Sequence, residues 1–412
     1  MVFWTNIYTM LFSWISFYPA IWVIGIAFVF WPFLFGLSVN HSKIRESSLI
    51  SKSLFLVGLS EIVSIPVGVI YFGVGFDRIL SALVNSLVWI TSSILVSVKI
   101  TGKEQTKIMQ NLIRIALVQG AVVAIAKIVY PRVLPIPVFH KALQNFGSNV
   151  SAFSSNNVIY IDWLDGAAFR THGIMANATW AGGFSALAII LIFKQQIQSN
   201  ISVFKCLWKY ILLGNVVYLS LSRSVFIAFV LSLFFGIISK LISKLSIQIK
   251  VAVVILISIL SGLVMTLIAL SGVFPKLLVA INQTRSGSLE TRSAIYKETY
   301  KLIVAHPFPL LGYGIKPGGQ DLVASLATHS TPLGLLFKGG IFGLICFLIF
   351  IFASFRHLFA LKSHFGISIM SFITLWSLLE DLDGGHLIPL FLIIIFRMEF
   401  VKTMKPLHPN NS

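Results

Sequence analysis

Few side chains in this sequence could do chemistry, and they cluster. Of 412 residues only 11% are charged, with 31 Lys and Arg against 13 Asp and Glu. Four stretches concentrate them. "FRTHGIMANATWAG" carries Arg170 and Asn177, and "LSLSRSVFIAFVL" carries Arg223. "LETRSAIYKETYKLIVAHPFPLLGYG" carries Arg292, Lys297 and His306, and "HSTPLGLLFKGGIFGL" opens on His329 and Ser330. The planar fork of arginine suits a multivalent anion such as a phosphate or pyrophosphate. Imidazole is the side chain that exchanges protons nearest neutral pH. Anion binding and proton transfer are therefore the chemistry on offer. No glycine-rich nucleotide loop precedes a helix, and no cluster has metal-ligand spacing. His306 and His329, 23 residues apart, make a poor metal pair. No metal, cofactor or nucleic-acid partner is predicted. Cys206 and Cys346 lie in or beside apolar runs and read as small buried residues, not a disulfide.

The elements that hold these residues must be membrane helices. Hydrophobic residues make up 57% of the chain, Phe alone numbers 35, and the mean hydropathy is +0.92. Those values lie far outside soluble usage, and several runs exceed the length of a span with almost no charge. The expected fold is all-α: one polytopic domain over residues 1–412, a bundle of about twelve transmembrane helices. The apolar block at residues 2–38 breaks at Pro19 into two spans, and is expected to be mature membrane structure and no signal peptide. Further spans are expected at residues 53–73, 79–98, 111–130, 174–193, 206–221, 225–240, 251–272, 331–355, 367–380 and 387–400. Short loops on one side hold 16 of the 31 basic residues, which places that side and both termini in the cytoplasm. Part of the formal charge of +18 is this bias. The rest belongs with the substrate.

Two long polar segments, 131–173 and 273–330, then face outward. The second, between spans nine and ten, is partly helical: Ile295, Tyr296, Thr299, Leu302 and Ile303 make one apolar face. Pro307 ends that helix at His306, which is read as capping a turn. Inside the spans, Glu61 is expected to be paired within the bundle. Lys338, two turns below His329, is expected to find a bundle carboxylate. Gly334, Gly339, Gly340 and Gly343 allow close approach of a neighbouring helix or a lipid tail.

Taken in order, the four stretches resemble the O-antigen ligase and polymerase superfamily of bacterial envelopes. The ligase pattern is His, then Asn, Ser or Gln, nine residues, then Gly-x-x-Gly. His329, Ser330, Gly340 and Gly343 fit it. The sequence departs from that pattern at Ile227, where the ligase has Leu four residues after its Arg, and at Leu344, where Val, Thr or Tyr is usual. The resemblance covers mainly residues 165–355. It implies transfer of a glycan from an undecaprenyl-pyrophosphate-linked oligosaccharide to a hydroxyl of an acceptor glycan, without nucleotide or metal. By this resemblance Arg223, Arg292 and His329 are catalytic, and Arg170, Asn177, Lys297 and Ser330 bind substrate. The arginines would neutralise the pyrophosphate, and His329 would take the acceptor's proton. The chain would lie in the bacterial cytoplasmic (inner) membrane. As a polymerase it would work with a chain-length regulator protein; as a ligase it would load lipid A-core. A lipid-linked-oligosaccharide flippase or other transporter is the rival class. It would be expected to carry several mid-span charges, whereas charge here concentrates in one outer loop.

Overall fold

The computed structural model describes residues 48–97, 102–129, 171–175, 177–243, 286–306, 308–317 and 326–382. These residues form nine helices and no strand. They are α1 (Leu49–Phe72), α2 (Phe76–Ser97), α3 (Gly102–Val129), α4 (Ala178–Gln198), α5 (Val203–Leu219), α6 (Arg223–Ser243), α7 (Ser286–Ala305), α8 (Thr331–Ala360) and α9 (His364–Leu379). The expected first, second, ninth and twelfth spans lie outside the described residues.

Local chemistry sets the helix ends. Ser48 caps α1 by accepting from the Ser51 N–H, and Gly73 closes it in the left-handed conformation at φ 58°. Asn177 caps α4 and Ser363 caps α9. Stretches of α1, α3, α4, α6 and α8 are long and apolar enough to cross a membrane, and Arg78–Ile94 and His364–Leu379 are shorter apolar helices. That is a helical membrane protein, but the predicted twelve spans are not reached within the described residues. α3 also starts earlier than predicted: the good helix formers of "KEQTK" continue the span out of the apolar region.

Apolar burial cannot drive one helix onto another inside lipid, so contact chemistry must. Among the described residues α4 is the most enclosed of the candidate spans, with 83% of its apolar window buried, and its small residues explain why. Gly182 faces Ser220 and Val225 where α5 turns into α6, and Gly183 faces the Trp376 ring of α9. α1 and α2 are joined by hydroxyls: Ser51 Oγ lies 3.0 Å from Ser93 Oγ and 2.6 Å from Ser97 Oγ. α1 and α8 are joined by charge. Lys338 Nζ lies 2.6 Å from Glu61 Oε1, with both side chains almost wholly buried. Ser86 of α2 donates to the other carboxylate oxygen at 3.2 Å. The partners foreseen for Glu61 and Lys338 are thus each other.

α8 is not one continuous helix. Gly340 has φ 69° and ψ −167°, a region essentially restricted to glycine. An unbroken helix would bond the Ile341 N–H to the Phe337 carbonyl and the Phe342 N–H to that of Lys338. Instead, residues 309–314 insert beside the break. The Ile341 and Phe342 N–H groups donate to the carbonyls of Pro309 and Leu310, at 3.0 and 3.3 Å. The Phe337 and Lys338 carbonyls accept from the N–H groups of Tyr313 and Gly314, at 2.8 and 2.9 Å. Four bonds to the inserted segment replace two within the helix, so these four backbone groups are satisfied in an apolar setting. A Cβ at Gly340 would strike the backbone of Leu310 and Leu311. We expect Gly340→Ala to cost about 1–3 kcal/mol from its backbone conformation alone. The clash adds to this, and the fraction of folded protein surviving a heat challenge in detergent reads it.

Candidate functional site

The polar cluster forms where α6 and α8 begin and α9 ends. Ser330 is the N-cap of α8, its hydroxyl facing the Leu333 N–H at 3.5 Å, with Pro332 following in the first turn. His329 precedes it at φ 65°, a left-handed conformation that costs a non-glycine residue roughly 1–2 kcal/mol. α7 holds that conformation from above. The Tyr296 hydroxyl donates to the His329 carbonyl at 2.8 Å, and the Thr299 hydroxyl accepts from the Ala327 N–H at 2.8 Å.

α7 is the amphipathic helix the sequence predicts. Ile295 and Thr299 are fully buried, whereas Tyr300 and Val304 on the other face are about two-thirds exposed. His306 ends it as a turn cap: its Nδ1 accepts from the Phe308 N–H at 2.9 Å. Burial holds the His306 pKa below the usual imidazole value. Its ring meets Tyr313 edge-on, with centroids 4.2 Å apart. Among the residues lining an apolar cavity of about 170 Å³ there are Ile303, His306, Tyr313 and Phe337. His306 therefore serves the inserted segment.

The charged groups around His329 come from α9 and its exit. His329 Nδ1 lies 3.8 Å from Glu380 Oε2. Glu380 Oε1 accepts from the Ser224 hydroxyl at 3.1 Å, and the Glu380 carbonyl accepts from both the N–H and the hydroxyl of Thr331, at 3.1 and 2.8 Å. Asp381 pairs with Lys316. Arg223, exposed at the first position of α6, is the neighbour of Ser224. So α6, α8 and α9 bring Arg223, His329 and Glu380 to one end of the bundle.

Not every predicted residue joins them. Asn177 spends its side-chain oxygen on the α4 cap, accepting from the Trp180 N–H at 2.8 Å. Lys297 lies on the exposed face of α7. Arg292 occupies α7 one turn before Tyr296, which puts the two on one helix face, and its side chain lies outside the described residues. Arg170 also lies outside them. Glu380 and Tyr296 were not foreseen as site residues. Tyr296 was legible only as part of an apolar face. The signal for Glu380 was a carboxylate, in "LLEDLDGG", directly after an apolar span. Among the described residues no group of three or more His, Cys, Asp and Glu is arranged to hold a metal ion.

Arginine, histidine and carboxylate thus gather at one end of a helical bundle with five helices long and apolar enough to cross a membrane among the described residues. Residues 210–348 match the family model described as O-antigen ligase. The match supports membership of the O-antigen ligase and polymerase superfamily, whose members are glycosyltransferase-like enzymes acting on lipid-linked sugars. It takes in Arg223, Arg292, Lys297, His329, Ser330 and the Gly340 break, about a third of the chain, and stops short of Glu380. A comparison with curated proteins gives no match.

Proposed function

We propose that this chain polymerises a bacterial surface polysaccharide, whether O-antigen, capsule or exopolysaccharide. It transfers a glycan from an undecaprenyl-pyrophosphate carrier to a sugar hydroxyl of a second carrier-linked unit, at the outer face of the cytoplasmic membrane. The observation that carries this reading is the cluster of His329 and the Arg223-bearing start of α6, inside the stretch matched to the family. In the reaction the acceptor oxygen attacks the anomeric carbon and the bond from that carbon to the pyrophosphate oxygen breaks. The acceptor's proton goes to the His329 imidazole. The carrier pyrophosphate leaves with its electron pair, its charge neutralised by Arg223 and Arg292, with Arg170 and Lys297 as further contacts. The outward orientation follows from the basic loops. The paired state of Glu61 and Lys338 weighs against the transporter class, since these mid-span charges answer each other.

One observation favours a second reading, transfer to lipid A-core: the matching family is described by its ligase members. Ile227, where the ligase pattern has Leu, favours the polymerase. Surface glycan on a gel separates the two in a strain lacking the gene. Single repeat units on the lipid anchor mean a lost polymerase, and long carrier-linked chains that never reach lipid A-core mean a lost ligase. Normal glycan would overturn both. In the reconstituted protein, Arg223→Ala should lower kcat/KM by about 10²-fold and Arg223→Lys should recover only part, because lysine keeps the charge but loses the fork.

A further inference from the structure

We infer that Glu380 is the positioning carboxylate of His329, orienting the imidazole and stabilising the imidazolium that forms when the acceptor's proton arrives. The inference rests on the reading of His329 as the general base. Its warrant is where the carboxylate sits. Glu380 follows the last turn of α9, and a negative charge there opposes that helix's own dipole. It is 7% exposed, so water does little to offset the cost. A buried acid in such a place must be compensated, and three elements converge on it. The first turn of α6 sends the Ser224 hydroxyl to Oε1, and that hydroxyl lies 2.9 Å from Ser222 Oγ. The first turn of α8 is tied to the Glu380 backbone through Thr331, whose hydroxyl oxygen also accepts from the Leu382 N–H at 2.9 Å. Two helix N-termini therefore favour the ionised form. The other oxygen, Oε2, faces His329 Nδ1.

That geometry sets Nδ1 toward the carboxylate and Nε2 away from it. With Nδ1–H toward Glu380, the neutral ring presents the lone pair of Nε2 on its far side. The His329 side chain is 32% exposed, so the ring is not sealed from an incoming hydroxyl. The proton passes from the acceptor oxygen to Nε2, and the imidazolium then closes on the carboxylate, which takes no proton itself. At 3.8 Å the pair is longer than a hydrogen bond, and positive charge on the ring would draw the two together. Of the other charged groups nearby, Lys316 is matched by Asp381, and Arg223 belongs to the anion side of the site.

The test compares Glu380→Gln, Glu380→Asp and Ser224→Ala in the full-length protein, reconstituted with an undecaprenyl-pyrophosphate-linked oligosaccharide. Gln keeps the shape and the acceptor for Ser224 but removes the charge. It should lower kcat about 10–100-fold. KM for the lipid-linked donor and the thermal midpoint should stay unchanged, and Asp should regain part of the rate. A Glu380→Gln protein with the wild-type kcat overturns the inference. If Glu380→Gln does not fold, Ser224→Ala decides: it leaves the carboxylate and removes the hydroxyl that holds it. A several-fold fall in kcat at constant KM then supports the inference, and a wild-type rate overturns it. The base reading fails separately, if His329→Asn retains full activity.

Discussion

His329→Asn should leave a folded protein that turns over about 10²–10⁴-fold more slowly, the range a positioned general base contributes. Asparagine is the informative replacement because of the backbone. His329 sits at φ 65°, and asparagine visits that region more readily than alanine does. The Tyr296 bond to the residue 329 carbonyl and the Ser330 cap are main-chain or neighbouring features that the substitution does not touch. Alanine would mix a catalytic loss with a strained loop. If the loss is chemical, KM for the lipid-linked donor should hold while kcat falls, since the proposed anion contacts, Arg223 and Arg292, belong to α6 and α7. Initial rates of pyrophosphate-carrier release across donor concentrations give both constants. An equal rise in KM would instead place His329 among the groups that only bind.

Breaking the Lys338–Glu61 pair should be the costliest change to stability. Both groups are buried, at 2% and 1% exposure, and no water can take over from a lost partner. Lys338→Met strands a carboxylate beside Ser86, and Glu61→Gln strands an ammonium; each should cost about 3–5 kcal/mol. The double variant removes both charges, and the Gln side chain can still accept from the Ser86 hydroxyl. It should recover most of the loss, because the pair's net worth is small compared with the cost of one orphaned ion. The fraction surviving a heat challenge in detergent, across the four proteins, measures the coupling. Additive losses would mean the two charges answer to other groups. The pair also bears on the site: the Lys338 carbonyl receives the Gly314 N–H of the inserted segment, which continues from α7. Weakening α1 against α8 should therefore loosen the turn that presents His329.

Much of this was legible in the sequence because its causes are local. The apolar face of α7 shows in the spacing of Ile295, Thr299 and Leu302, and the turn at His306 follows from Pro307. The caps were legible too. Asn177 before "ATWAG" and Ser330 before Thr-Pro carry the composition of helix N-termini, yet their side chains were read as substrate contacts. What stayed hidden is long-range. Gly340 and its neighbours suggested close packing, and Gly343 does face Ser60 Oγ of α1, 2.7 Å from where a Cβ would stand. That Gly340 breaks the helix depends on residues 309–314 coming from a distant part of the chain to take up its free backbone groups. Glu380 meets His329 from 51 residues away, across the hairpin of α8 and α9. No local pattern announces such a pair.

The central claim is that His329 deprotonates the acceptor during transfer from a lipid pyrophosphate. The most direct measurement follows the purified protein in lipid vesicles, supplied with undecaprenyl-pyrophosphate-linked oligosaccharide and with neither nucleotide nor added metal. The account predicts longer carrier-linked glycan and one equivalent of freed undecaprenyl pyrophosphate per bond made, with both falling together in His329→Asn. Freed carrier without glycosidic bond formation, or equal turnover by His329→Asn, would contradict it.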